Sequence, residues 1–89
     1  MADYSLSERA KEILSATGEN AGEIRIDVFM GKYMVVTNGQ SIGEGTPKGD
    51  AINKSAIEEL ERNDLIENFA ENSYKLTAGG WTRSGLLRG

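Results

Sequence analysis

Cysteine and histidine are both absent. Without cysteine there are no disulfide staples, no thiolate metal sites and no thiol nucleophile; without histidine the usual zinc constellations and imidazole general bases are gone as well. Stability must therefore come from packing. No run of about 18 apolar residues exists, and the N-terminus lacks the basic stretch and apolar core of a signal peptide. The expectation is a soluble, cytoplasmic domain. Basic residues are in the minority, 10 against 14 acids, for a net charge of −4 and a pI near 4.8. Such a balance opposes the non-specific phosphate attraction behind most nucleic-acid affinity, so a nucleic-acid role would need a local basic patch.

What is present suits one small domain over residues 1–89. At that length burial reaches roughly 60 to 70% of the unfolded surface, so each core side chain matters. Leu6, Ala10, Ile13 and Leu14 recur at helical spacing between Ser5 and Ser15, and Ser5 with Glu8 fits a capping box. Thr17 to Gly22 supplies glycine and polar stop residues. From Glu23 to Met30 the alternation is strict, with Ile24, Ile26, Val28 and Met30 on one face. Gly31-Lys32 and Asn38-Gly39 suit two-residue turns, predicting a meander of Glu23 to Met30, Tyr33 to Thr37 and Gln40 to Gly43. Residues flanking such turns face each other, which predicts the pairs Met30 with Tyr33, Val28 with Val35, and Val35 with Ile42.

Ser41 to Asp50 holds three glycines and the only proline, and reads as a connecting loop. It lacks the Gly-Lys-Ser/Thr ending of a phosphate-binding P-loop, so no nucleotide cofactor is expected. Asp50 is a plausible N-cap for a helix from Ala51 to Asn63 with Ile52, Ala56, Ile57 and Leu60 on its apolar arc. Asn63-Asp64 can end it in the left-handed conformation. Leu65 to Phe69 and Ser73 to Thr77 then form a hairpin around Ala70-Glu71-Asn72. Thr77 caps a terminal turn or helix through Trp81 toward Leu86 and Leu87, despite Gly79, Gly80 and Gly85.

The run Ala56-Ile57-Glu58-Glu59-Leu60-Glu61, then Leu65-Ile66-Glu67, then Tyr74-Lys75-Leu76-Thr77 and a glycine resembles the recognition helix and two wing strands of winged helix-turn-helix proteins. The resemblance spans Ala51 to about Gly80. It implies an α+β, winged-helix-like fold: helix 1, a three-stranded antiparallel meander, a second helix and a C-terminal β-hairpin wing. The meander occupies the place of the family's second helix. The order of Ala10 to Leu14, Glu23 to Ile26, Val36 to Gly39, a proline and Ala56 to Leu60 is similar to small winged-helix-like modules at the ends of some bacterial multidomain proteins of defence or signalling type. That likeness implies an adaptor or assembly role and carries over no catalytic residue.

A DNA-reading helix should offer cations and amides on its outer arc. Here Lys54, Ser55 and Arg62 stand beside Glu58, Glu59 and Glu61; from Asp50 to Glu71 seven acids face two bases, a local charge of −5. A solvated face with an i,i+4 pair between Glu58 and Arg62 accounts for such charges. Lys75, Arg83 and Arg88 add only a weak basic footprint after Glu71. Phe29, Met34 and Val36, on the second face of the meander and extended by Trp81, are the candidate protein interface, unless helix 1 or the C-terminal turn covers them. Glu58 and Glu59 point apart on adjacent helix positions and no nucleophile has a base beside it, so no enzyme, cofactor or metal site is expected. The chain reads as a non-catalytic interaction module that binds a protein partner or itself. The alternative is a DNA-binding regulator using Lys54, Ser55, Arg62, Lys75 and Arg83; a third reading is an acidic phage-type inhibitor imitating DNA phosphates.

Overall fold

The computed structural model describes residues 6–19 and 21–88, without the Arg88 side chain. It is an α+β fold of three helices and one five-stranded antiparallel sheet, in the order α1 (Glu8–Gly18), β1 (Glu23–Phe29), β2 (Lys32–Thr37), β3 (Gln40–Ile42), α2 (Pro47–Arg62), β4 (Ile66–Ala70), β5 (Ser73–Leu76) and α3 (Ala78–Arg88). The N-cap of α1 is Ser7, whose hydroxyl accepts from the Ala10 N–H; the expected cap, Ser5, lies outside the described residues. Glu59 of α2 takes the Ser7 amide N–H at 3.0 Å and its hydroxyl at 2.8 Å. A carboxylate distant in sequence thus fills the place that the third helical residue fills in an ordinary capping box.

The first hairpin departs from expectation by two residues. Its central turn positions are Met30 and Gly31, both with positive φ (51° and 79°), so the pairs are Val28 with Tyr33 and Ile26 with Val35. Positive φ at both positions gives the mirror-image turn that follows the strand twist, with glycine taking the second place at no steric cost. A shift of two preserves which side chains share a face, yet it moves Met30 out of the strand. The Asn38-Gly39 turn and the pairing of Val35 with Ile42 form as the sequence indicates.

Helix α2 starts earlier than Asp50 suggests. Thr46 is the N-cap, accepting from the Gly49 N–H at 3.0 Å, and Pro47 occupies the first turn, where a missing N–H costs nothing. Asp50 lies inside that turn, where its carboxylate faces the positive helix end. The buried stripe is Asn53, Ala56, Ile57 and Leu60, at i, i+3, i+4 and i+7; Ile52 falls beside it and is 39% exposed. Asn53 is accommodated because its amide donates to the Ile42 carbonyl at 2.9 Å and its oxygen accepts from Arg9. Arg9 also reaches Glu44 at 2.6 Å, joining α1, α2 and the segment after β3.

Past α2, Asp64 adopts the left-handed conformation (φ 60°) and β4 and β5 pair as a hairpin with a bulge between Asn68 and Ala70. The sheet order is β3-β2-β1-β5-β4, because β5 pairs with β1 through Glu23–Lys75, Ile24–Tyr74 and Arg25–Ser73. Both hairpins are therefore one sheet, a pairing the sequence pattern did not reveal. One face of it meets the helices: Ile24, Ile26, Val35, Ile42, Ile66 and Leu76 pack with Ala10, Ile13 and Leu14 of α1 and Ala56, Ile57 and Leu60 of α2. Where α1 meets β2, the Thr17 and Thr37 hydroxyls lie 2.8 Å apart, with the Ile13 and Glu23 carbonyls as further acceptors.

Thr77 caps α3, its hydroxyl accepting from the Gly80 N–H and donating to the Asp64 carbonyl. Gly80 permits a close approach, since a Cβ there would overlap the Leu65 carbonyl oxygen. Gly85 has open space around it. We therefore expect G80A to lose about 1–3 kcal/mol through overpacking, while G85A gains up to about 1 kcal/mol from helix propensity. Thermal unfolding followed by circular dichroism checks both signs.

Candidate protein interface

Strand alternation assigns the opposite face of the sheet to Glu23, Arg25, Asp27 and Phe29 of β1, Lys32, Met34 and Val36 of β2, Ser41 of β3, and Ser73 and Lys75 of β5, with Glu67 opposite Lys75 on β4. Among the described residues no helix lies over it: Phe29 is 65% exposed, and Met34 and Val36 are half-buried. Phe69 joins this face at the bulge, with the Lys75 ammonium 5.9 Å from its ring centre. The charges pair locally, Arg25 with Asp27 at 3.1 Å and Lys75 with Glu67 at 3.8 Å. Three acids and three bases balance here, so the chain's net charge of −4 resides elsewhere.

The β1–β2 hairpin reaches beyond its neighbours. Its tip exposes Val28 (60%) and Met30 (83%) as well as Phe29. Val28 and Met30 were expected on the buried face; the alternation is right for Val28, but the helices stop short of it. Ile26, Asp27, Val28, Phe29, Met34 and Asn72 line a cleft of about 460 Å³ where the hairpin clears the β4–β5 turn.

Trp81 does not extend this patch. It lies on α3 against Gly22, whose positive φ and lack of a Cβ make room for the indole. Gly22 precedes β1 and Phe29 ends it, seven residues or roughly 23 Å away. The residues considered for DNA are likewise dispersed. Lys54, Ser55 and Arg62 are exposed on α2, on the helical side of the sheet, whereas Lys75 is on the opposite face. Arg83 is half-buried on α3, and the Arg88 side chain is outside the described residues. No Glu58–Arg62 ion pair forms among the described residues, and Glu59 is committed to Ser7. Val28, Met30 and Phe69 are the members of the apolar surface that the sequence did not flag; the reach of β1 past β5 sets the first two apart and the bulge in β4 the third, neither visible in the chain.

Next to the tip, on the helical side, Tyr33 and Tyr74 stand near Glu58 and Glu61 of α2. Burial pushes the Tyr33 phenol up to about 12, assisted by Tyr74, Glu58 and Glu61 in that order. Tyr74 is raised by burial first, then by Glu61 and Glu58. Among the described residues no three carboxylates gather in metal-binding geometry. Comparison with protein-family models, curated proteins and solved structures found no match for this chain.

A phenol whose folded value exceeds its unfolded value, near 10, stabilises the fold fully below pH ~10 and loses that contribution as pH rises toward the folded value. Ultraviolet titration should therefore show one tyrosine ionising near 12 that disappears in Y33F. Replacing Glu58 and Glu61 together by Gln should bring that step down.

Proposed function

We propose that this chain is a non-catalytic, winged-helix-like interaction module that binds a protein partner, or a second copy of itself, through the β1–β2 hairpin tip and the uncovered sheet face. The observation that carries this is the contiguous exposure of Val28, Phe29 and Met30 beside Met34, whereas Ile52 on α2 and Trp81 and Leu86 on α3 are exposed away from that cluster. Exposed apolar surface concentrated in one place marks an association site more often than scattered apolar residues do. The local charge balance removes electrostatic repulsion from that face. The winged-helix part of the reading rests on the succession of α2, β4 and β5, in which a helix runs into a hairpin whose second strand lies beside β1. A duplex-DNA role is less well supported. Its cations are split between two sides of the sheet, and the outer arc of α2 carries Glu58 and Glu61 beside Lys54 and Arg62.

Phe29 and Met34 contribute little to the core, so the double variant F29S/M34S should keep the circular dichroism spectrum of the parent. Sedimentation at increasing protein concentration and recovery of bound protein should both be diminished. A variant that still self-associates and still recovers the same partner would remove this interface from consideration.

A further inference from the structure

Hydrogen-bond parity along β1 places a demand that the side chains alone do not. The main-chain groups of Gly22, Ile24, Ile26 and Val28 point away from β2, as shown by the Leu76 N–H donating to the Gly22 carbonyl at 2.9 Å and the Ile26 N–H donating to the Asn72 carbonyl at 2.7 Å. Strand β5 accompanies β1 only from Glu23 to Arg25, and the chain turns away at Asn72. Val28 therefore directs its N–H and C=O past the end of β5, into the notch where the cleft of about 460 Å³ lies. Open main-chain groups in this alternation are a template for an added extended backbone.

We propose that the notch takes an extended peptide segment of a partner protein as an added strand beside Val28, with apolar residues toward Phe29 and Met34 and a basic residue toward Asp27. Asp27 is the one ionisable side chain lining the cleft. Its Arg25 partner is well exposed and can be displaced by an incoming cation. A chain of net charge −4 favours such an occupant at longer range as well. A second copy fits the notch less well. Antiparallel self-pairing through Val28 would set Met30 of the other copy across from Ile26, where Asn72 already sits. Strand addition rests on the interaction-module reading and specifies its binding mode and partner chemistry.

The probe is a short end-blocked peptide repeating lysine-threonine-valine-threonine, which sets lysine and valine on one face of an extended strand, titrated into the isotopically labelled full chain. Amide signals of Ile26, Val28 and Asn72 should move, and hydrogen exchange at the Val28 amide should slow. V28P removes the donor on the open edge and leaves the β2 ladder untouched, a place where strands tolerate proline; binding should fall about tenfold. The same peptide with glutamate in place of lysine should bind more weakly. No binding, equal binding of the two peptides, or full binding to a folded V28P overturns strand addition. If V28P does not fold, the same peptide N-methylated at every residue asks the same question, and undiminished binding again overturns it. Loss of assembly in F29S/M34S alongside a normal V28P would sink the added strand while sparing the interaction module.

Discussion

Strand β1 is what the architecture depends on. It alone joins the meander to the C-terminal hairpin, giving one set of main-chain groups to β2 and the alternate set to β5. An isolated two-stranded hairpin is marginal in water, whereas five strands with a helix-covered face bury enough to persist. The inward side chains of β1, Ile24 and Ile26, are buried members of the core cluster. Replacing either by a smaller residue would open a cavity in that core and loosen both hairpins together.

A second level of order comes from polar contacts that tie the helices to one another. Glu59 closes the start of α1, and Arg9 spans from α1 to Asn53 on α2 and Glu44 before it. The Arg9 guanidinium beside Glu44 holds that carboxyl below its usual range. No buried side-chain polar atom among the described residues lacks a partner. These contacts fix how α1 lies across α2, which apolar packing alone would leave less specific.

Much of this was legible from the residues. Alternation gave the three meander strands, Asn38-Gly39 gave a turn with its register, and Thr77 with the C-terminal apolar residues gave α3 its start. What escaped has physical reasons. Thr46-Pro47 looked like loop because glycine and proline are weak helix formers, although a capping threonine followed by proline is also how a helix opens. The two-residue slip at Met30-Gly31 arose because a non-glycine residue accepted positive φ, which composition disfavours. Arg9, Asn53 and Glu44 are brought together by folding from positions up to 44 residues apart, and no local pattern announces them. Of the candidate interface, Phe29, Met34 and Val36 were visible as an off-face set; that Val28 protrudes depends on where β5 ends.

The bulge at Phe69 bears on how the margins of such a sheet resist pairing with other chains. Strand β4 is an outer strand, and an outer strand that is flat and regular would template stacking into fibrils. A bulge between Asn68 and Ala70 breaks the ladder and increases local twist, and the Asn68 side chain spends its amide on the Ala70 and Ser73 carbonyls. At the other margin β3 is only three residues long. Both rims of the sheet are thus blunted against indiscriminate growth, leaving polymerisation a poor outcome even when the molecules are concentrated.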